Sequence, residues 1–125
     1  MAEDYGVTEE TLSADDLIGG SHGTIEKAIT LAEAAGDLDR GQVLGRVTAS
    51  GEYAAYDAAA EDGTETPRAI LARDTDASAA AAATVAYVHG EFNEAALTGN
   101  GADDAAKQVT REELQAFGII IKVAL

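Results

Sequence analysis

Large apolar side chains are sparse at the start of the chain and come in short clusters after it. Across residues 1–23 only Val7, Leu12, Leu17 and Ile18 are large aliphatics, set among acids and the run Gly19-Gly20-Ser21-His22-Gly23. Such a stretch cannot offset the entropy of ordering itself, so residues 1–23 read as an extended arm that is mobile alone and orders on a partner. The pattern changes at Thr24. Ile29 and Leu31 alternate about Thr30 as in a strand, and Ala35-Gly36-Asp37 reads as a turn. The β-branched run Val43–Thr48 is a strand, Ser50-Gly51 a hairpin turn, and Glu52–Tyr56 the return. Residues 57–66 form a polar loop, and after Pro67 the segment Arg68–Ala72 is a further strand.

The second half is read the same way. Five consecutive alanines, Ala79–Ala83, favour helix by propensity, but nothing large stands there to anchor one. The segment Asp74–Ala83 is therefore taken as an acidic turn leading into a strand. Thr84–Val88 is that strand, ended by His89-Gly90; Glu91–Leu97 is a short helical turn, and residues 98–102 are a loop. Thr110-Arg111-Glu112-Glu113 has the form of a capping box with Thr110 as N-cap. Leu114 and Phe117 then share a helix face, Gly118 ends the helix, and Ile119–Val123 is a terminal strand. The fold class is mainly β with short helices: a small β-barrel-like or α+β domain over residues 24–125, preceded by the arm. There is no internal repeat.

Composition makes this core smaller than it first looks. Hydrophobic residues are 46% of the 125, yet 28 are alanine, and Leu, Ile, Val and Phe total only 25. A domain so composed gains from completing its core against a neighbour. The net charge of −15 disfavours binding to nucleic acid and to anionic membrane surfaces. The acids are dispersed and lysines number three, a pattern that fits a halophilic source and equally fits ordinary acidic solubility. Without cysteine there are no disulfides or thiolate sites. No apolar run approaches the roughly 20 residues of a membrane span. The acidic N-terminus lacks the basic and apolar regions of a signal peptide, so the protein is expected to act in the cell that makes it or to leave by another route.

Candidate chemistry is thin. His22 and His89 are the only histidines, one in the arm and one before a glycine, and His89-Gly90-Glu91 lacks zinc-site spacing. Asp74-Thr75-Asp76-Ala77-Ser78 begins like a calcium loop, but Ala79 stands where its glycine belongs and Val85 where its glutamate belongs. Asp15-Asp16 and Asp103-Asp104 are adjacent acids of the solvated kind. There is no phosphate-cradling glycine loop and no nucleophile elbow. Six aromatics with no tryptophan make a sugar cleft improbable. The expectation is no enzyme, no metal, no cofactor and no small-molecule substrate. Gly36–Gly45 is similar to the strand before the modified hairpin of biotinyl and lipoyl carrier domains, but no lysine stands between Lys27 and Lys107 to be modified.

The same segment, extended, resembles another family. Arg40-Gly-Gln-Val-Leu-Gly-Arg-Val-Thr-Ala-Ser-Gly-Glu-Tyr-Ala-Ala-Tyr-Asp57, then Asp62-Gly63 and Pro67-Arg-Ala-Ile-Leu-Ala72, are similar to the head decoration proteins of tailed viruses of the phage lambda type. Thr84–Val88, Gly90-Glu-Phe-Asn-Glu-Ala-Ala-Leu97 and Leu114-Gln-Ala-Phe-Gly-Ile-Ile-Ile121 continue the likeness in order. The resemblance implies a structural virion protein that cements the expanded head from its outer surface. It implies a homotrimer at threefold and quasi-threefold positions whose partner is the major capsid protein. The arm would order on that protein, with Leu12, Leu17, Ile18 and Ile25 as its apolar anchors. Two rivals stand beside this reading: an acidic interaction module of a halophilic cell with no virion role, and, more weakly, a carboxylate hydrolase.

Overall fold

A computed structural model describes residues 17–20, 23–33 and 35–123. Among them are eight strands: β1 (Ile25–Leu31), β2 (Gly36–Leu38), β3 (Val43–Arg46), β4 (Tyr53–Ala55), β5 (Pro67–Leu71), β6 (Thr75–Ala77), β7 (Ala82–Asn93) and β8 (Ile119–Lys122). One helix, α1 (Asp104–Gln115), and a 3-10 turn at Glu94–Ala96 lie between β7 and β8. The order β1-β4-β3-β5-β7 closes through β1–β7 into a five-stranded barrel, and β8 adds in parallel to β7 outside the ring. The β-rich, barrel-like expectation holds.

The apolar runs make sense once both faces of the wall are followed. Leu31, Leu44, Leu71 and Ala86 fill the barrel with Ile29 and Tyr53. Their neighbours Val43, Ile70 and Tyr87 point outward and are buried again beneath Leu114 of α1, Ile119 of β8, Phe92 and Leu17. Strands covered on both faces read as continuous rather than alternating hydrophobic runs. Alanines at 69, 77 and 86 are fully buried, which lets so few large residues fill two layers.

Several local expectations are corrected. Gly36–Leu38 is not only a turn: it pairs antiparallel with Thr75–Ala77, so the acidic turn contains a strand too. Among the alanines, Ala82 and Ala83 do lead into β7, opposite Leu31 and Thr30. That strand does not stop at His89-Gly90 but continues through Asn93, so Glu91–Asn93 are extended and only Glu94–Ala96 turn. Gly90, at φ +143°, is a bend inside the strand where it changes partners from β1 and β5 to β8. The helix begins seven residues before the expected start: Asp103 Oδ1 accepts from Ala106 N at 2.9 Å and is the N-cap. Thr110 lies inside the helix, buried, and its hydroxyl donates to Ala106 O instead. Phe117 does not share the buried face with Leu114. It lies beyond α1, 40% exposed, with the Arg68 guanidinium 4.9 Å from its ring centre.

Candidate docking surfaces

Of the residues with potential chemistry, His89 and the acidic turns at Asp62 and Asp76 are described. His89 sits in β7 beside Gly118, where an added Cβ would lie 2.6 Å from His89 Nδ1. His22, Asp15 and Asp16 lie outside the described residues. Among the described residues no group of three or more His, Asp or Glu is placed to hold a metal ion. No helix among them is long and apolar enough to cross a membrane.

The failed calcium loop and the loop after β4 use the same device. Asp76 Oδ1 accepts from the Ser78 hydroxyl and from Ser78 N, and Asp62 Oδ1 accepts from the Thr64 hydroxyl and Thr64 N. Bonds to the charged form, the hydroxyl first and the amide second, hold both carboxyls below the ordinary 3.8. A lowered carboxyl pKa stabilises the fold above the unfolded-state value, and that contribution is lost as pH falls through the folded-state value. In a carboxyl-carbon NMR titration, Ser78→Ala should raise the Asp76 midpoint toward 3.8. An unmoved midpoint would show that the hydroxyl contributes nothing.

The exposed surface is more informative. Among the described residues five large apolar side chains are exposed, and Val109, Phe117, Ile120 and Val123 belong to the stretch from α1 to the end of β8 and just beyond. On that unit β8 is paired with β7 along Gly90–Asn93 and has no second strand among the described residues. The opposite edge of that stretch is taken by residues 17–19. Gly19 N donates to Glu91 O at 2.9 Å, Asn93 N donates to Leu17 O at 2.8 Å, and Ile18 bridges to Phe92. The chain's first described residues and its last strand thus flank one end of β7, next to an apolar surface.

The four residues expected as arm anchors separate. Leu17 is 4% exposed and packs in the domain's own outer core, and Ile18 is half-buried against it. Ile25 is 56% exposed at the start of β1, and Leu12 lies outside the described residues. Residues 17–20 therefore pack on the domain rather than stand clear of it. The sequence reading missed Ile120 and Val123. Their signal was present in Ile119-Ile120-Ile121, a terminal strand too apolar for a solvated edge.

The described residues form a β-barrel with an added C-terminal strand, and a comparison with family models decides the family. The model of the bacteriophage lambda head decoration protein D family matches residues 7–119. The chain belongs to that family. A search of curated proteins gave no match. As a head decoration protein it falls in a structural, viral-capsid class. The match includes residues 7–16, so the family pattern extends N-terminal to the barrel.

Proposed function

We propose that this decoration protein binds the expanded icosahedral head as a homotrimer and stabilises it by contact with the major capsid protein. The observation that carries the reading is the joint one at the end of β7. There residues 17–19 lie along one edge of β7 and β8 along the other, β8 has no second strand among the described residues, and Ile120 and Val123 are exposed. Residues 1–23 act as the arm. Leu12 in the arm and Ile25 just after it, at the start of β1, contact the shell, while Leu17 and Ile18 fasten the arm's base to the barrel. An open sheet edge with apolar side chains is suited to strand addition. The outer surface of the virion is then where the protein works, and it needs no nucleic acid, membrane, cofactor or small-molecule substrate.

The test is co-sedimentation with heads of the same source, expanded and unexpanded, in low and high salt. Saturable binding to expanded heads only, in multiples of three, is expected. Removal of residues 1–16 should weaken that binding at least tenfold without changing the melting temperature. Absence of binding to either head in any salt would leave an acidic interaction module as the better account.

A further inference from the structure

Residues 98–103 lead into α1, and they hold a reactive dipeptide. The chain has two asparagines, Asn93 and Asn100, and only Asn100 is followed by glycine. Glycine has no Cβ to keep its amide nitrogen away from the preceding side chain, so Asn-Gly is the asparagine context most open to attack. The nitrogen of Gly101, its proton taken by hydroxide, attacks Cγ of Asn100. An N–Cγ bond forms, the bond from Cγ to the side-chain nitrogen breaks, and ammonia leaves with a proton from water, which restores the hydroxide. Water then opens the cyclic imide at either carbonyl, leaving aspartate or isoaspartate.

The fold controls access to this chemistry. Thr98 fastens one end of the loop, accepting from Val43 N at 2.9 Å and donating to Gly41 O at 3.1 Å. Asp103 fastens the other as the N-cap of α1. Residues 99–102 between them make no described hydrogen bond, so neither the Asn100 side chain nor the Gly101 nitrogen is tied. Asn100 is nevertheless only 6% exposed. Gly101, at φ +133°, lies so close to α1 that an added Cβ would stand 2.9 Å from Ala106 C and Lys107 N. Packing alone shuts the loop, and a segment shut without hydrogen bonds opens at low cost. Asp62-Gly63, the aspartyl pair with the same potential, is disarmed. Gly63 N donates to Glu65 Oε1 at 2.8 Å, and the Asp62 carboxylate is held in its charged form by Thr64.

We infer that Asn100 is a modification site of this protein, converted by water to aspartate and isoaspartate at a rate set by the opening of residues 99–102 from α1. Either product acts on the helix. Aspartate puts a charge on a side chain that the fold buries, in a chain already at −15. Isoaspartate lengthens the main chain by one carbon where the backbone has no spare room beside Ala106 and Lys107. Both loosen the first turn of α1, and with it the element that covers the outer core through Leu114. A capsid protein is not renewed in a finished particle, so closure of this loop sets how long the chain stays intact.

The full-length chain is incubated at mildly alkaline pH, folded and in urea, and its peptides are followed by mass spectrometry with enzymatic isoaspartyl methylation as a second readout. Asn100 should convert in both states, about ten- to a hundredfold more slowly in the folded one, with Asn93 and Asp62 unchanged. Asp103→Ala removes the N-cap and should speed the folded-state rate at least threefold while leaving the urea rate within twofold. Circular dichroism checks that this variant is folded. Gly101→Ala, assayed in urea where its backbone angle no longer matters, should slow conversion at least tenfold. Asn100→Asp, which is one of the two products, should melt below the parent chain. Equal rates in the two states, no folded-state conversion over a hundred unfolded-state half-lives, an unchanged folded rate in Asp103→Ala, or earlier conversion at Asn93 or Asp62 would each overturn the inference. Heads take no part in these measurements, so their outcome is separate from that of the docking reading.

Discussion

Phe92→Ala should cost about 3–5 kcal/mol of unfolding free energy, the range for emptying a buried aromatic site. Phe92 is fully buried in the outer core with Tyr87, Leu114, Ile119 and Leu17, its ring centre 5.2 Å from that of Tyr87. It is also held through its backbone, between Ile121 of β8 on one edge and Ile18 on the other. The cavity therefore opens where three separate pieces of chain meet, and none can collapse into it without giving up strand pairing. For a domain of ordinary stability, about 5–15 kcal/mol, this is a large share of the total. Thermal unfolding followed by circular dichroism should show a fall on the order of 15 °C. A loss below ~1 kcal/mol would mean that α1 and β8 are not packed on the barrel as described.

Leu17→Ala and Ile25→Ala should part in opposite directions, although the sequence offers both as arm residues. Leu17 is 4% exposed and contributes to the same outer core, so its truncation should cost about 2–4 kcal/mol. Ile25 is 56% exposed, and its truncation should change stability by no more than roughly 0.5 kcal/mol. Under the proposed docking, the order reverses for head binding measured on folded protein. Ile25→Ala should weaken it about tenfold, whereas Leu17→Ala should act mainly through stability. Equal melting temperatures for the two variants would show that residues 17–20 do not belong to the barrel.

The strands were legible because β-branched and aliphatic clusters punctuated by glycine leave little alternative in Val43–Thr48, Arg68–Ala72 and Thr84–Val88. The motif order that carries the family likeness was legible for the same reason. Gly90 misled because a glycine at a bend and a glycine at a strand end look alike in sequence, and only the partners on either side distinguish them. Thr110 misled because a capping pattern is local, whereas Asp103 owes its role to where the preceding loop delivers the chain.

Sequence by itself determined the acidic charge, the lack of thiol chemistry, the scarcity of large core residues and the β-rich class, since each follows from composition or short-range pattern. Tertiary structure alone decided that Leu17 is core and Ile25 surface, that Ile120 and Val123 lie exposed, and that β1 pairs with β4 only at Leu31 among the described residues. These are statements about which side of a strand finds a neighbour. The partners Phe92, Asn93 and Tyr53 lie tens of residues away in the chain, and a period-two pattern tells which faces differ but not which face is covered.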